Sequence, residues 1–120
     1  MENARVIDLP ESGTFKVVQI YVGNEPYLPF GETNDYHVNI LKKFLESKNI
    51  EFKPDSEFGD NLPPLIGTGY GVVGMGYFYI YDKQLVFSGS SSDYGIGINP
   101  EHIEKCKPYF KDNDLEIKIK

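Results

Sequence analysis

Gly67-Thr68-Gly69-Tyr70-Gly71-Val72-Val73-Gly74-Met75-Gly76-Tyr77-Phe78-Tyr79-Ile80-Tyr81 admits two readings that lead to different folds. Residues 69–74 formally match G-x-G-x-x-G, the turn that cradles a dinucleotide in a doubly wound sheet. That pattern works only where it follows a strand and opens a helix. Here the glycines run into Tyr77, Phe78, Tyr79, Ile80 and Tyr81, the aromatic and β-branched types that fill pleated, half-buried positions. The stretch therefore reads as a strand whose glycine-rich first half is bulged or closely packed. Tyr81-Asp82-Lys83-Gln84 follows as a tight turn and Leu85-Val86-Phe87 as a second strand, which makes a hairpin rather than a nucleotide-binding unit.

Upstream, Phe15-Lys16-Val17-Val18-Gln19-Ile20-Tyr21-Val22 is apolar on both faces, as a central strand would be. Lys16 is its one cation, and by default such an ammonium snorkels from the strand end to water. Gly23 to Gly31, with Pro26 and Pro29, reads as a loop leading to Thr33-Asn34-Asp35-Tyr36-His37-Val38. Asn34 or Asp35 can cap a helix there, and Val38, Leu41, Phe44, Leu45 and Lys48 recur at three and four residues. The period predicts a core-facing helix of about a dozen residues ending near Asn49. Asn49 to Lys53 reads as a short strand. Residues 1–12, with Val6, Ile7 and Leu9, read as an edge segment or loose tail, and residues 55–66 as an acidic loop without the ligand spacing of an EF-hand. Downstream, Asn99-Pro100-Glu101 is a strong helix start, predicting a helix to about Tyr109, and Leu115 to Ile119 alternates as a last strand with Leu115, Ile117 and Ile119 inward. The expectation is an α/β fold: one domain over residues 1–120, a mixed β-sheet with helices packed on its faces.

The totals exclude several functions. A chain of 120 residues supports one core of ordinary size, and 40% hydrophobic with 25% charged residues is a soluble globular balance. Net charge is −6 and Arg5 is the sole arginine, so no basic surface for nucleic acid is expected. Cys106 alone makes no internal disulfide, and His37 and His102, the only histidines, cannot assemble a zinc site of usual composition. No apolar run has the length of a membrane span and no signal peptide is visible, which predicts a cytoplasmic protein with no membrane partner.

Two features point to chemistry. His37 falls in the first turn of the predicted helix, where free backbone N–H groups and the positive end of the helix dipole attract anions and favour a neutral imidazole, the form that acts as base or nucleophile. Ser88, Gly89, Ser90, Ser91 and Ser92 follow a strand, and such a loop can turn its N–H groups into an anion-binding concavity with hydroxyls as further donors. If the hairpin lies beside the strand carrying Lys16, the loop, Lys16 and His37 converge on one phosphate-sized site. His102 is explained as structural by its place in a first helical turn, and Cys106 as a small core or boundary residue.

Taken in order, Gly13-Thr14-Phe15-Lys16-Val17-Val18-Gln19-Ile20, Tyr36-His37-Val38-Asn39-Ile40, and Asp82-Lys83-Gln84-Leu85-Val86-Phe87-Ser88-Gly89-Ser90 with Tyr94-Gly95, then a helix and a closing strand, resemble the 14-kDa phosphohistidine phosphatase family, which includes the Janus and Ocnus proteins. The resemblance spans most of the chain; the Tyr-His pair, the Phe-Lys pair and the Gly/Ser loop are its most specific parts. It implies a sheet covered on both faces, no cofactor, no metal, and removal of phosphate from phosphohistidine in a protein or a small phosphorylated substrate. His37 matches the catalytic histidine, as general base or nucleophile, Lys16 the pocket lysine, and Ser88 to Ser92 the phosphate-cradling loop, with Ser90 the foremost hydroxyl. A monomer is expected. The chain departs from the family where pocket arginines are expected, reading Pro29-Phe30-Gly31 and Gly76-Tyr77-Phe78 instead; Asp93 lengthens the loop, and Phe58 to Val73 reads as an insertion. Loss of charge-assisted arginine contacts weakens phosphate binding. A second expectation is therefore a non-catalytic module of the same fold that binds phosphate or a phosphoprotein.

Overall fold

The computed structural model describes residues 6–52, 63–92, 94–112 and 114–120. The glycine-rich stretch is a strand: β5, Tyr70–Tyr81, pairs antiparallel with β1, Gly13–Val22, on one flank and with β6, Gln84–Ser88, on the other. Its first half is bulged as the glycines suggest, for Gln19 lies opposite Gly74 and Ile20 opposite Val72, leaving Val73 as the extra residue. At the hairpin, Asp82 and Lys83 take φ of 52° and 66°, the left-handed backbone that a two-residue type I′ turn requires.

β2, Glu25–Tyr27, and β3, Phe30–Glu32, both pair with β1; β4, Ile66–Gly67, pairs with β5; and β7, Glu116–Ile119, joins β6 in parallel. Among the described residues the result is a seven-stranded mixed sheet, five strands along the path β2-β1-β5-β6-β7 with β3 and β4 paired beside it. Successive residues of a strand point to opposite faces, and each face carries one helix. Val18, Ile20, Val72 and Met75 pack with Ile40, Leu41 and Leu45 of α1, His37–Ser47. Val17, Phe78, Ile80, Leu85 and Phe87 pack with Ile103 and Cys106 of α2, Pro100–Cys106. Each large apolar side chain removed from water contributes about 1.5–3 kcal/mol, so the two clusters hold sheet and helices together. The domain is α/β, as the pattern of the sequence predicts.

Several local expectations are corrected. Residues 25–27 and 30–32, read as loop, are short edge strands, where Pro26 is tolerated because an edge position needs no full ladder. Asn49 to Lys53 is no strand over its described part: Asn49, with φ of 57°, closes α1, and the N–H groups of Asn49 and Ile50 donate to the carbonyls of Glu46 and Leu45 at 3.1 and 2.9 Å. Lys53 lies outside the described residues. α2 stops at Cys106 and continues only as a 3-10 turn over Lys107–Tyr109, since Pro108 has no N–H to extend it. Leu115 and Ile117 are half-buried as expected, whereas Ile119, on the edge strand, is 43% exposed. The N-terminal segment is docked from Ile7 on: Ile7 is buried, donates to the Tyr109 carbonyl at 2.6 Å and accepts from the Lys111 N–H at 3.0 Å. Of the acidic loop read over 55–66, residues 55–62 lie outside the described residues. Among the described residues no helix is long and apolar enough to cross a membrane.

Candidate functional site

α1 starts at His37, with Tyr36 as N-cap residue in extended backbone and no side-chain cap bond. The expected cap does not form, and Asp35 is committed elsewhere. Asp35 N–H donates to the Glu32 carbonyl at 3.0 Å, and its carboxylate accepts from Asn39 Nδ2 at 3.0 Å and Tyr36 N–H at 2.8 Å, with Lys43 at 3.7 Å. The Asn39 and Tyr36 bonds, and then the Lys43 charge, hold the Asp35 carboxyl below the usual carboxylate range. His37 itself is 3% exposed, and its Nε2 lies 2.8 Å from the Gly76 carbonyl oxygen. A carbonyl only accepts, so Nε2 carries a hydrogen and donates it to Gly76. Tyr77 meets the imidazole edge-on, centroids 5.8 Å apart at 84°. β5 thus fixes the ring through two successive residues.

The same two strands that flank β5 bring Lys16 and Ser88 to this place. Lys16 lies opposite Tyr77 on β1 and Ser88 opposite Tyr77 on β6. Directly opposed residues share a face, so Lys16, Tyr77 and Ser88 form a row on the α1 side of the sheet, beside His37. The Lys16 ammonium does not simply snorkel to water. It donates to the Asp35 backbone carbonyl and stands 5.5 Å from the centroid of the Tyr36 ring, tying β1 to the turn before His37.

The Gly/Ser loop divides. Gly89 has φ of 78°, and a Cβ there would lie 2.8 Å from the Tyr77 ring, so only glycine fits without displacing that ring. Ser90 bridges Gly97. Ser91 is 1% exposed; its N–H donates to Ile96 O at 2.8 Å, its carbonyl accepts from Gly95 N–H at 2.8 Å, and its hydroxyl accepts from Tyr94 N–H at 3.4 Å. Ser91 therefore braces a closed lobe from within instead of presenting its hydroxyl outward, while Ser90 and Ser92 are exposed. Asp93 lies outside the described residues.

Sequence reasoning missed Gln19. It is fully buried; its Oε1 accepts from Asn99 N–H at 2.7 Å and its Nε2 donates to Asn99 O at 2.8 Å, clamping the far end of the lobe to β1. Gly74 makes the room, since a Cβ there would lie 2.0 Å from Gln19 Oε1. Met75 N–H adds a bond to Gly97 O at 3.1 Å. A polar residue in the middle of an apolar strand is the only local signal of this clamp.

His102 is structural, as read. It is fully buried, its Nε2 donates to Ile20 O at 3.1 Å, and its Nδ1 faces Gln19 Nε2 at 3.4 Å and Cys106 Sγ at 3.6 Å. Burial pushes its pKa down, against the pull of the Ile20 and Tyr27 carbonyls. Protonating Nδ1 would also set it against the Gln19 amide hydrogens. With the folded pKa below the unfolded value of about 6.5, the unfolded chain binds more protons between the two, so stability is full above the unfolded value and declines as pH falls through that window. Chemical denaturation at pH 7.5 and 5.5 should show a loss of up to about 1.4 kcal/mol per pH unit below about 6.5, and His102→Gln should flatten it. An unchanged slope in that variant would assign the pH dependence elsewhere.

Among the described residues no group of three or more His, Cys, Asp or Glu side chains is placed to hold a metal ion. Arg5, the sole arginine, lies outside them, so Lys16 is the cation of the row. No model of a known protein family matches the chain, and no curated protein sequence matches it. Fold and site together define a one-sheet α/β domain with a fixed histidine, a lysine and Ser88 on one face.

Proposed function

We propose that the domain is a metal-independent phosphatase that removes phosphate from phosphohistidine, with His37 as base or nucleophile. The observation that carries the reading is the row Lys16–Tyr77–Ser88 alongside a histidine whose Nε2–H is fixed by the Gly76 carbonyl. A phosphoryl group beside the row would meet a cation at Lys16 and the hydroxyl of Ser88, with the His37 imidazole next to them. As base, the His37 imidazole takes a proton from water as the new O–P bond forms and the P–N bond breaks, and the leaving imidazole acquires a proton. As nucleophile, the His37 imidazole forms an N–P bond as the substrate's P–N bond breaks and the substrate imidazole leaves with a proton, and water then cleaves the new N–P bond to give free phosphate and His37. The order of motifs resembling the 14-kDa phosphohistidine phosphatase family supports the same reading. The test is metal-free phosphate release from a phosphohistidine peptide by the wild type and by His37 variants.

A second reading, a non-catalytic binder of phosphate or a phosphoprotein, draws on the inward Ser91 and on Lys16 as sole cation of the row. Titration with inorganic phosphate, watched at the backbone amides of Ser88 to Gly95, separates the two. Shifts with no turnover favour the binder. Shifts with turnover favour the enzyme, and an unmoved loop removes the anion site from both.

A further inference from the structure

We propose that Tyr36 is a specificity-determining residue: its exposed ring, beside the Lys16 ammonium and one residue before His37, is a stacking surface for the imidazole that leaves when phosphohistidine is cleaved. This assignment rests on the phosphatase reading above.

The N-cap of a helix favours Ser, Thr, Asp or Asn, whose side chains satisfy a free backbone N–H. Tyr36 occupies that position and makes no side-chain cap bond. Its ring is not needed by the core either, being 62% exposed while α1 buries His37, Ile40, Leu41 and Leu45. A residue that breaks a local preference and buries little marks a place where the surface serves something other than folding. What surrounds it indicates what that is. Lys16 Nζ stands 5.5 Å from the ring centroid, held there by its bond to the Asp35 carbonyl, and His37 follows in the chain.

A phosphoryl oxygen bonded to the Lys16 ammonium lies roughly 3 Å from Nζ. The P–N bond carries the substrate's imidazole only a few ångströms farther, which brings it within the roughly 4.5–7 Å centroid range of aromatic pairs with Tyr36. A phosphorylated group without a ring makes no such stacking contact. The contact is made to a leaving group whose ring is present in ground and transition states alike, so its effect falls on KM rather than on kcat.

The experiment compares wild type, Tyr36→Ala and Tyr36→Phe on phosphohistidine and on phosphoramidate, which has the P–N bond and no ring. Tyr36→Ala should raise KM for phosphohistidine by about 3- to 10-fold, with little change in kcat, and raise KM for phosphoramidate by a clearly smaller factor, since there only the ring beside the Lys16 ammonium is lost. Tyr36→Phe, which keeps the ring face, should restore the wild-type KM. An equal loss on both substrates would assign Tyr36 to the geometry of the helix start and overturn the proposal, as would no change on either. If the wild type cleaves neither compound, the phosphatase reading fails and this one with it; if it cleaves both without a Tyr36-dependent split, this one alone fails.

Discussion

Gly74→Ala is expected to lose at least about 3 kcal/mol of folding stability, read as a lower midpoint in urea or as failure to fold. The added Cβ would lie 2.0 Å from Gln19 Oε1, 2.9 Å from the Gly97 carbonyl oxygen and 3.0 Å from the Asn99 nitrogen. Two of those three atoms are backbone and cannot swing aside. The Gln19 amide would have to leave, and with it both bonds to Asn99 at 2.7 and 2.8 Å, stranding polar groups beside the buried middle of β1. Each such group left unsatisfied costs about 1–3 kcal/mol, and overpacking adds about as much. Since domains hold only about 5–15 kcal/mol in total, this is a large share. Gly71→Ala is the control on the same strand: nothing lies within 4 Å of a Cβ there, and the change should stay within about 0.5 kcal/mol. Equal midpoints for the two variants would refute the clamp.

That clamp also marks the boundary of what the sequence reveals. The central hairpin was legible because Tyr77 to Tyr81 state a strand preference strongly enough to override the formal glycine motif, and because Asp82-Lys83 is short enough to force a turn. α1 was legible from its apolar period and α2 from Asn99-Pro100. Gln19 and Asn99 are 80 positions apart, and no local rule pairs them. The start of α1 was misplaced for the same reason. Asp35 has the chemistry of a cap, but its N–H belongs to Glu32 and its carbonyl to Lys16, so the helix opens one residue later with an uncapped Tyr36. Composition marked Ser88 to Ser92 as one loop, yet only packing decides that Ser91 faces inward while Ser90 and Ser92 face water. The nearness of Lys16 to His37 depends on register: Lys16 opposite Tyr77 is what puts it on the α1 face. A slip of one residue would have sent it to the other side of the sheet.

Register also sets the size of the effect expected at His37. In a metal-free assay of phosphohistidine cleavage, His37→Ala should lower phosphate release by at least about 100-fold, since a positioned base contributes about 10²–10⁴ and a lost nucleophile at least as much. At about 1.36 kcal/mol per factor of ten, that is about 2.7 kcal/mol of barrier supplied by one ring. Removing the ring also removes a donor from the Gly76 carbonyl and an edge contact from Tyr77, so lost activity in the alanine variant has a structural explanation as well. His37→Gln separates the two. Its side-chain amide can still donate toward Gly76, which should hold stability near that of the wild type, but an amide nitrogen offers neither a base nor a nucleophile. A folded, inactive glutamine variant assigns the chemistry to the imidazole. A glutamine variant that cleaves phosphohistidine at the wild-type rate would remove His37 from the reaction and leave Lys16 and the serine lobe, at most, as a binding surface.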